Sequence, residues 1–184
     1  MKRIERMRDF PHARAVAALG MFDGVHNGHQ ALIREAVRQA RDLDAKCVVC
    51  TFDRHPLSLI APERAPKPLM TLEENLARFE RLGADYALVQ RFDRAFSQMP
   101  PEDYLRALAV ELRAVGIVAG ENYTFGLRGT GNAEKIRELA ETLGYRAVIV
   151  PPVMDGDRIA SSTWIRQLLA QGEFAHAQRL LELR

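Results

Sequence analysis

GMFDGVHNGHQALI, residues 20–33, joins an apolar run to a helical pattern and carries two histidines three positions apart. The run that leads into it, AVAALG at 15–20, is typical of a short buried strand. After Gly28, apolar side chains recur at spacings of three and four, which predicts an amphipathic helix. The stretch therefore predicts a strand, then a glycine-bracketed loop that holds His26 and His29, then a helix.

The same alternation of strand and helix continues along the chain. Further strands are predicted at 46–52, 85–90, 116–120 and 145–153. Further helices are predicted at 71–83, 101–115, 133–144, 163–172 and 173–183. Loops are predicted at 53–70, 92–100 and 121–132, and a turn with a short extended piece at 155–162. We therefore predict an α/β fold with a doubly wound parallel sheet, helices on both faces and C-terminal helices.

Length and composition narrow the class of protein. With 184 residues the chain can bury a substantial core, and we expect residues 1–184 to form a single domain. The formal net charge of +2 gives no reason to expect a nucleic acid or a membrane as a partner. No apolar run is long enough to span a bilayer, and the basic start lacks the apolar region of a signal peptide. We therefore expect a cytoplasmic protein.

Neither the cysteines nor the histidines predict a metal site of their own. Cys47 and Cys50 lie in an apolar run that reads as a buried strand, where positions i and i+3 point to opposite faces. They are predicted to be buried structural thiols. His26 and His29 supply at most two ligands, whereas a zinc site needs three or four.

The histidine loop favours phosphate as a ligand. A helix N-terminus offers unpaired N–H groups and a positive dipole, and Gly24 and Gly28 allow the backbone to approach a ligand closely. Imidazole donors at that place can stabilise charge that develops on a phosphate. Solvated loop histidines are the alternative, but His26, His29 and Asp23 together at a strand–helix junction favour a phosphate site.

The segment ASSTWIR has two interpretations that stay open. Ser161, Ser162 and Thr163 precede an apolar helical pattern and are candidates for a helix cap. With Arg166 one turn into the helix, they would also suit a polyphosphate. The segment TFDRHPLSLI, residues 51–60, combines His55 and Pro56 with apolar residues, as a pocket for a flat ligand could, although loop packing alone more often gives such a pattern.

All these segments are expected to meet at one edge of the sheet. GMFDGVHNGH, TFDRHP, QRFDRAF and GENYTFG each follow a predicted strand. In parallel sheets ligands bind at the carboxyl ends of the strands, near the switch in strand order.

Together the motifs resemble those of the FMN adenylyltransferase module in prokaryotic bifunctional riboflavin kinase/FMN adenylyltransferases, the FAD synthetases. FDGVHNGHQ is similar to the FDGVHxGHQ signature of that family, whose HxGH core occurs across the nucleotidylyltransferase superfamily. TFxxHP, FDxxFxxxxPxxY, GENYTFG and SSTWIR follow, so the matches extend from about Leu19 to about Gly172. The resemblance implies a Rossmann-like nucleotidylyltransferase fold and the reaction FMN + ATP → FAD + pyrophosphate with Mg²⁺.

The resemblance also implies roles for individual residues. Those implied to be catalytic are His26, His29 and Arg166. Those implied to bind ATP are Gly20, Phe22, Asp23, Gly24, His26, Gly28, His29, Asn122, Ser161, Ser162, Thr163 and Arg166. Those implied to lie on the flavin side are Phe52, His55, Pro56, Phe125 and Arg128. Asn122 is also linked to the metal, which the phosphates of ATP are expected to hold for the most part.

The sequence departs from the family pattern in two ways. Arg54 stands where the motif TFxPHP has its first proline, and the chain ends before any β-barrel riboflavin kinase module. Either the protein is a stand-alone adenylyltransferase, monomeric or weakly oligomeric, that uses FMN from a separate riboflavin kinase, or the chain is a piece of a longer protein. Two other functions stay open, namely nucleotidyl transfer to another phosphorylated small molecule and nucleotide or flavin binding without turnover.

Overall fold

The computed structural model describes residues 1–183. Its centre is a six-stranded sheet whose neighbouring strands are all parallel. In chain order these strands are β1 (Lys2–Ile4), β2 (Ala15–Leu19), β3 (Lys46–Phe52), β4 (Tyr86–Gln90), β5 (Ala114–Gly120) and β6 (Arg146–Val150). Across the sheet the order is β1-β4-β3-β2-β5-β6. A separate antiparallel hairpin consists of β7 (Met154–Asp155) and β8 (Arg158–Ile159).

Helices cover both faces of this sheet. In chain order they are α1 (Asn27–Asp42), α2 (Leu57–Ile60), α3 (Leu72–Arg81), α4 (Arg94–Ser97), α5 (Pro101–Val110), α6 (Ala133–Glu138), α7 (Ala140–Leu143), α8 (Ser162–Ala170) and α9 (Phe174–Leu181). Ile33 of α1 and Phe79 of α3 pack on one face, whereas Leu105 of α5 and Ile136 of α6 pack on the other. The doubly wound parallel fold is therefore confirmed, and α8 and α9 form a smaller cluster of their own.

The two cysteines of strand β3 lie on opposite faces of the sheet, because side chains alternate between the faces along a strand. Cys47 packs on the face covered by α1 and α3, and Cys50 packs on the opposite face. Burial raises the pKa of the Cys47 thiol to about 12, so the group stays protonated at neutral pH. Both cysteines are free and buried, which confirms the structural interpretation.

The strand order reverses next to β2. From β2 the chain adds β3 and β4 on one side, and β5 and β6 are on the other side. The loops that leave β2 and β5 therefore diverge over a crevice at their carboxyl ends, which is where ligands bind in open α/β sheets. These are the loops that begin at Gly20 and at Glu121.

Several local features differ from the sequence prediction. The helix predicted at 101–115 ends at Val110, and β5 begins at Ala114. The sheet has a sixth strand, β1, which pairs with β4 at the outer edge. Its three residues include two exposed basic side chains, so no apolar pattern marked it. The segments 53–70 and 92–100, predicted as loops, contain the one-turn helices α2 and α4, and the helix predicted at 133–144 is interrupted at Leu139. Such short elements depend on tertiary contacts rather than on local periodicity.

The helix α3 begins with a capping box and ends before a glycine. The Thr71 hydroxyl accepts the Glu74 N–H, and the Glu74 carboxylate accepts the Thr71 N–H at 2.7 Å. Gly83 follows the helix with a φ of 92°, a conformation that favours glycine. Within residues 1–183, no helix combines the length and the apolar character needed to cross a membrane.

Candidate active site

The loop between β2 and α1 is compact and holds an unusual backbone. Gly24, Phe22 and Val25 have φ values of 83°, 54° and 43°. Positive φ is costly for a bulky or β-branched residue, so the surrounding fold must hold this loop in place. A Cβ at Gly20 would lie 2.8 Å from the Phe22 ring, which explains the glycine at the end of β2. Strain of this kind is common at ligand-binding loops.

The two histidines form a stack at the mouth of α1. Their ring centroids are 3.7 Å apart with an angle of 24° between the planes. The His29 backbone N–H donates to Nδ1 of His26 at 3.4 Å, so His26 caps the helix. Because Nδ1 of His26 accepts a hydrogen bond, its neutral ring carries the proton on Nε2.

Both imidazoles are neutral at pH 7. Burial lowers the pKa of His26 to about 4. Burial and, to a lesser degree, the charge of His26 lower the pKa of His29 well below its ordinary value. Nδ1 of His29 is buried and has no hydrogen-bond partner among the described residues. Neutral imidazole N–H groups held in place can act as preorganised donors to an anion.

Asp23 joins three segments of the site through its carboxylate and its carbonyl. The carboxylate accepts the Leu69 N–H at 2.9 Å, contacts the Met70 N–H at 3.4 Å, and forms an ion pair with Arg166. The Asp23 carbonyl accepts the Ser162 hydroxyl at 2.9 Å. Since the carboxylate is already paired, we expect Asp23 to hold Arg166 in place rather than to contact a phosphate itself.

The start of α8 supports both interpretations of ASSTWIR, for different residues. Ser161 is the cap, because its hydroxyl accepts the Trp164 N–H at 3.1 Å. Thr163 is exposed and, like Arg166, lines a cavity. The Arg166 side chain also donates to the Lys67 carbonyl at 2.8 Å. Its orientation is therefore fixed by two contacts, with Asp23 and with Lys67.

Two connected cavities hold most of the residues expected to bind ATP. The histidine cavity, of about 290 Å³, is lined by Gly20, Phe22, His26, Gly28, His29, Asn122 and Ser161, with Met21, Tyr123 and Ile159 among the others. The arginine cavity, of about 320 Å³, is lined by Asp23, His29, Ser162, Thr163 and Arg166, with His55 and Arg64 among the others. His29 faces both cavities.

Gly24 has a different position from the other expected ATP residues. It lines neither of these two cavities, and its N–H donates to the Asn75 side chain at 3.1 Å. A Cβ at Gly24 would lie 3.0 Å from Leu181 and from Leu69. Gly24 therefore supports the shape of the loop.

Most of the residues expected on the flavin side line a third, aromatic cavity of about 520 Å³. Phe52, Pro56, Phe125 and Arg128 belong to this aromatic cavity. His55 does not, because it lies in the arginine cavity, where its Nδ1 accepts the Leu57 N–H at 3.1 Å. Burial and the nearby Arg166 charge lower the pKa of His55.

Several residues of the aromatic cavity were not predicted. They are Phe92, Phe96, Tyr104 and Tyr123, whose rings form edge, tilted and stacked contacts with Phe52 and Phe125. Three of them lie in the motif FDxxFxxxxPxxY, so the spacing of its aromatic residues was the available signal. A cavity with several aromatic walls suits a planar aromatic ligand.

The aromatic and histidine cavities meet at shared residues. Met21, Asn122 and Tyr123 line both of them. Met21 also lines the arginine cavity, so it stands at the junction of all three. A ligand in the aromatic cavity and a ligand in the histidine cavity would therefore approach each other at Met21 and Asn122.

Arg54 lies to one side of the aromatic cavity. It pairs with Asp53 at 3.2 Å and lines a fourth cavity of about 370 Å³ with Pro66 and Pro68. Arg54, the residue that departs from the TFxPHP pattern, therefore lies in the neighbouring cavity. It is not part of the lining of the aromatic cavity.

The described residues offer no protein cage for a metal. Among residues 1–183, no group of three or more His, Cys, Asp or Glu side chains is placed to hold a metal ion. Asn122, at the junction of the cavities, offers one amide oxygen. Mg²⁺ accepts oxygen ligands and commonly keeps several waters and substrate phosphates, so a single amide ligand fits it.

Comparison with known proteins assigns a family to this combination of fold and site. A family model described as FAD synthetase matches residues 10–164. The bifunctional riboflavin kinase/FMN adenylyltransferase of Escherichia coli (strain K12) is 31% identical over 179 residues, which are 97% of this chain and 57% of that protein. A Geobacillus thermodenitrificans protein, provisionally given the same bifunctional name, is 35% identical over 167 residues, 91% of this chain and 89% of that protein.

A solved structure has the same fold. It is described as a macrolide-efflux protein from Streptococcus pneumoniae and is 31% identical, with a TM-score of 0.82 over 97% of this chain and 59% of that one. The present chain thus spans a little over half the length of that structure and of the Escherichia coli protein.

Proposed function

The chain belongs to the FAD synthetase family, and from this premise we propose that it is an FMN adenylyltransferase. It transfers AMP from ATP to the phosphate of FMN and releases FAD and pyrophosphate. ATP occupies the histidine and arginine cavities, and FMN occupies the aromatic cavity. We propose that residues 1–184 carry this activity as one domain in the cytoplasm, as a monomer or a weak oligomer, with ATP and FMN as its small-molecule partners.

One observation carries the proposal. The histidine cavity, which suits phosphates, and the aromatic cavity, which suits a flat ring, share Met21, Asn122 and Tyr123. A transfer between two substrates needs their reacting atoms within about 3–3.5 Å. Two adjacent cavities, one containing the histidine pair and one with aromatic walls, meet that need. A binding module for one ligand would need only one of them.

The chemistry requires alignment and charge stabilisation. A phosphate oxygen of FMN attacks the α-phosphorus of ATP, a new P–O bond forms, and the bond from that phosphorus to the bridging oxygen breaks. Pyrophosphate leaves with the electron pair. No base is needed, because the attacking phosphate is already an anion at neutral pH. His26 and His29 donate N–H groups to the phosphates, and Arg166 neutralises charge that develops in the transition state.

Mg²⁺ is part of this proposal. When it is bound, it neutralises the charge of the leaving pyrophosphate. Asn122 would supply a protein oxygen, and the phosphates of ATP would supply most of the other ligands.

The test is an incubation of the purified protein with ATP and Mg²⁺ and, in separate samples, FMN, riboflavin or another phosphorylated acceptor. We expect FAD and pyrophosphate in equal amounts from FMN, and none from riboflavin. The matched control is the variant His29→Ala under the same conditions. Pyrophosphate released with a different acceptor and not with FMN would favour another nucleotidyltransferase, and ATP binding without any pyrophosphate would favour a binding module.

A further inference from the structure

One polar cluster lies on the hairpin that follows β6. Strands β7 and β8 pair through Met154 with Ile159 and Asp155 with Arg158, and Gly156 turns between them with a φ of 60°. Strands of two residues form few backbone hydrogen bonds, so such a hairpin is marginal in water by itself. Its position therefore depends on contacts with the rest of the fold.

The Asp155 carboxylate makes such contacts. It accepts a hydrogen bond from the Trp164 indole N–H at 2.9 Å and lies 2.7 Å from Nε2 of His176. The hydrogen bond from Trp164 lowers the pKa of Asp155, so the group is charged at neutral pH. The Arg158 guanidinium lies 4.2 Å from the centroid of the Trp164 ring. The cluster of these four residues therefore joins the hairpin to α8 and α9.

The same elements form walls of the histidine and arginine cavities. Ile159 and Ala160, at the end of the hairpin, line the histidine cavity. The Ala160 carbonyl would lie 3.3 Å from a Cβ at Gly28, so the hairpin end is packed against the phosphate loop. Trp164 directly follows Thr163, which lines the arginine cavity. Among the described lining residues of these two cavities, none belongs to the Asp155 cluster. The cluster can therefore affect a bound ligand only by holding the residues that line the cavities.

We propose that Asp155 is a positioning residue for ATP. By binding Trp164 and His176, it fixes the hairpin and the first turn of α8 in the arrangement that the ATP-binding residues need. The inference rests on the proposed function, since it places ATP in the histidine and arginine cavities. The described lining of the aromatic cavity includes no residue of the hairpin, so FMN binding should not depend on Asp155.

The test compares two substitutions that remove the same charge from the same hairpin. Asp155→Asn keeps the shape of the side chain, and Asp157→Asn is the matched control because Asp157 is exposed in the turn. ATP affinity is measured by calorimetry with Mg²⁺ present, and KM is measured for ATP and FMN. Asp155→Asn should weaken ATP binding and raise the KM for ATP by about tenfold, the size expected when a charged hydrogen bond is lost. The KM for FMN should not change.

A spectroscopic measurement reports on the contact itself. Trp164 is the single tryptophan of the chain, so its emission reports on the hairpin contact directly. Asp155→Asn should shift this emission, and Asp157→Asn should leave it as in the wild type. Thermal unfolding of both variants shows whether the rest of the domain is folded.

The outcomes separate this inference from the proposed function. Unchanged ATP affinity in folded Asp155→Asn would overturn the inference, and so would an equal rise in the KM values for ATP and FMN. If Asp155→Asn does not fold, His176→Ala, which releases the carboxylate from α9 alone, is judged by the same criteria. If the wild type makes no FAD, but Asp155→Asn binds ATP more weakly than the wild type, only the proposed function is contradicted. A wild type that binds no ATP would overturn both.

Discussion

The rings of His26 and His29 are stacked on each other, but their surroundings predict different roles for them. The His26 ring caps α1 through Nδ1, whereas Nδ1 of His29 is enclosed and unpartnered within residues 1–183. An unsatisfied buried nitrogen costs stability, and such a cost is typical of a group that awaits a ligand. His29 should therefore matter more for turnover than for folding.

We expect His29→Ala to slow FAD formation by about 100- to 1000-fold, the usual effect of losing one preorganised donor. Its thermal midpoint should stay close to that of the wild type. Steady-state kinetics and thermal unfolding of the purified variant test both parts. His12→Ala, which removes a histidine that contacts Tyr86 away from the cavities, is the control. Turnover like that of the wild type in His29→Ala would rule out the assigned role.

The buried histidine pair also predicts how stability depends on pH. His26 has a folded pKa of about 4 and an unfolded value near 6.5, so the unfolded chain binds more protons between these values. The contribution of the neutral His26 to the free energy of unfolding is therefore fully present above pH 6.5 and is lost as the pH falls to about 4. The contribution of His26 is about 3 kcal/mol. Chemical denaturation across this range should show a shallower pH slope for His26→Gln than for His12→Gln. Equal slopes would contradict the assignment.

At the residue scale, motif residues were more predictable than the residues between them. His26, His29 and Arg166 were expected from spacing and resemblance. The two histidines line the histidine cavity, and His29 and Arg166 line the arginine cavity. Met21 was missed although it lines all four cavities, because a lone apolar residue in a loop carries no chemical pattern. His55 was expected beside the flavin but lies in the arginine cavity, since the turn into α2 directs it there.

At the scale of elements, Asp23 holds the phosphate loop, the segment before α3 and α8 in one arrangement. We expect Asp23→Asn to weaken the ion pair with Arg166 and the hydrogen bonds from Leu69 and Met70, which would release the segment 61–70. Hydrogen exchange should be faster in that segment, and FAD formation should fall by at least about tenfold, as expected for losing a charged contact. Asp103→Asn, an exposed carboxylate on α5, is the control.

If the segment 61–70 exchanges at the wild-type rate in Asp23→Asn, then other contacts hold it. A variant with slow turnover and unchanged exchange would instead place Asp23 in direct contact with the substrates.

The elements differ in how far the sequence predicts them. The strand β2 is a continuous apolar run, α1 has strong helical periodicity, and α3 has a complete capping box, so their positions were predicted closely. The strand β1 and the one-turn helices α2 and α4 have no such local signal. They form because the edge of β4 and the neighbouring loops offer partners, and this information lies far away in the sequence.

At the scale of the whole molecule, ATP should stabilise the fold, because it binds the folded chain and not the unfolded one. At a free ATP concentration of 100 times Kd, the gain is about 2.7 kcal/mol. For a domain of this size that corresponds to a rise in Tm of roughly 5–10 °C. Thermal unfolding with and without ATP and Mg²⁺ measures the shift, with His29→Ala as the comparison. No shift at millimolar ATP would contradict the proposed nucleotide site.

The architecture as a whole was predictable because the order of strands and helices permits few alternatives. Alternating elements led to a parallel sheet, and the parallel sheet led to a site at the carboxyl edge. The detailed division of that edge into cavities was not predictable. It depends on side-chain packing between loops that are far apart in the sequence, such as the contact of the Ala160 carbonyl with Gly28.

The pairing of β1 with β4 has a consequence during synthesis. Lys2 pairs with Tyr86, so β1 must wait for a partner strand that is synthesised about 80 residues later. At about 5–20 residues per second, that wait lasts roughly 4–16 seconds. The central strands β2 and β3, which are neighbours in the chain, can pair much earlier. The sheet therefore starts from its middle, and β1 can join it only after β2, β3 and β4 have been made.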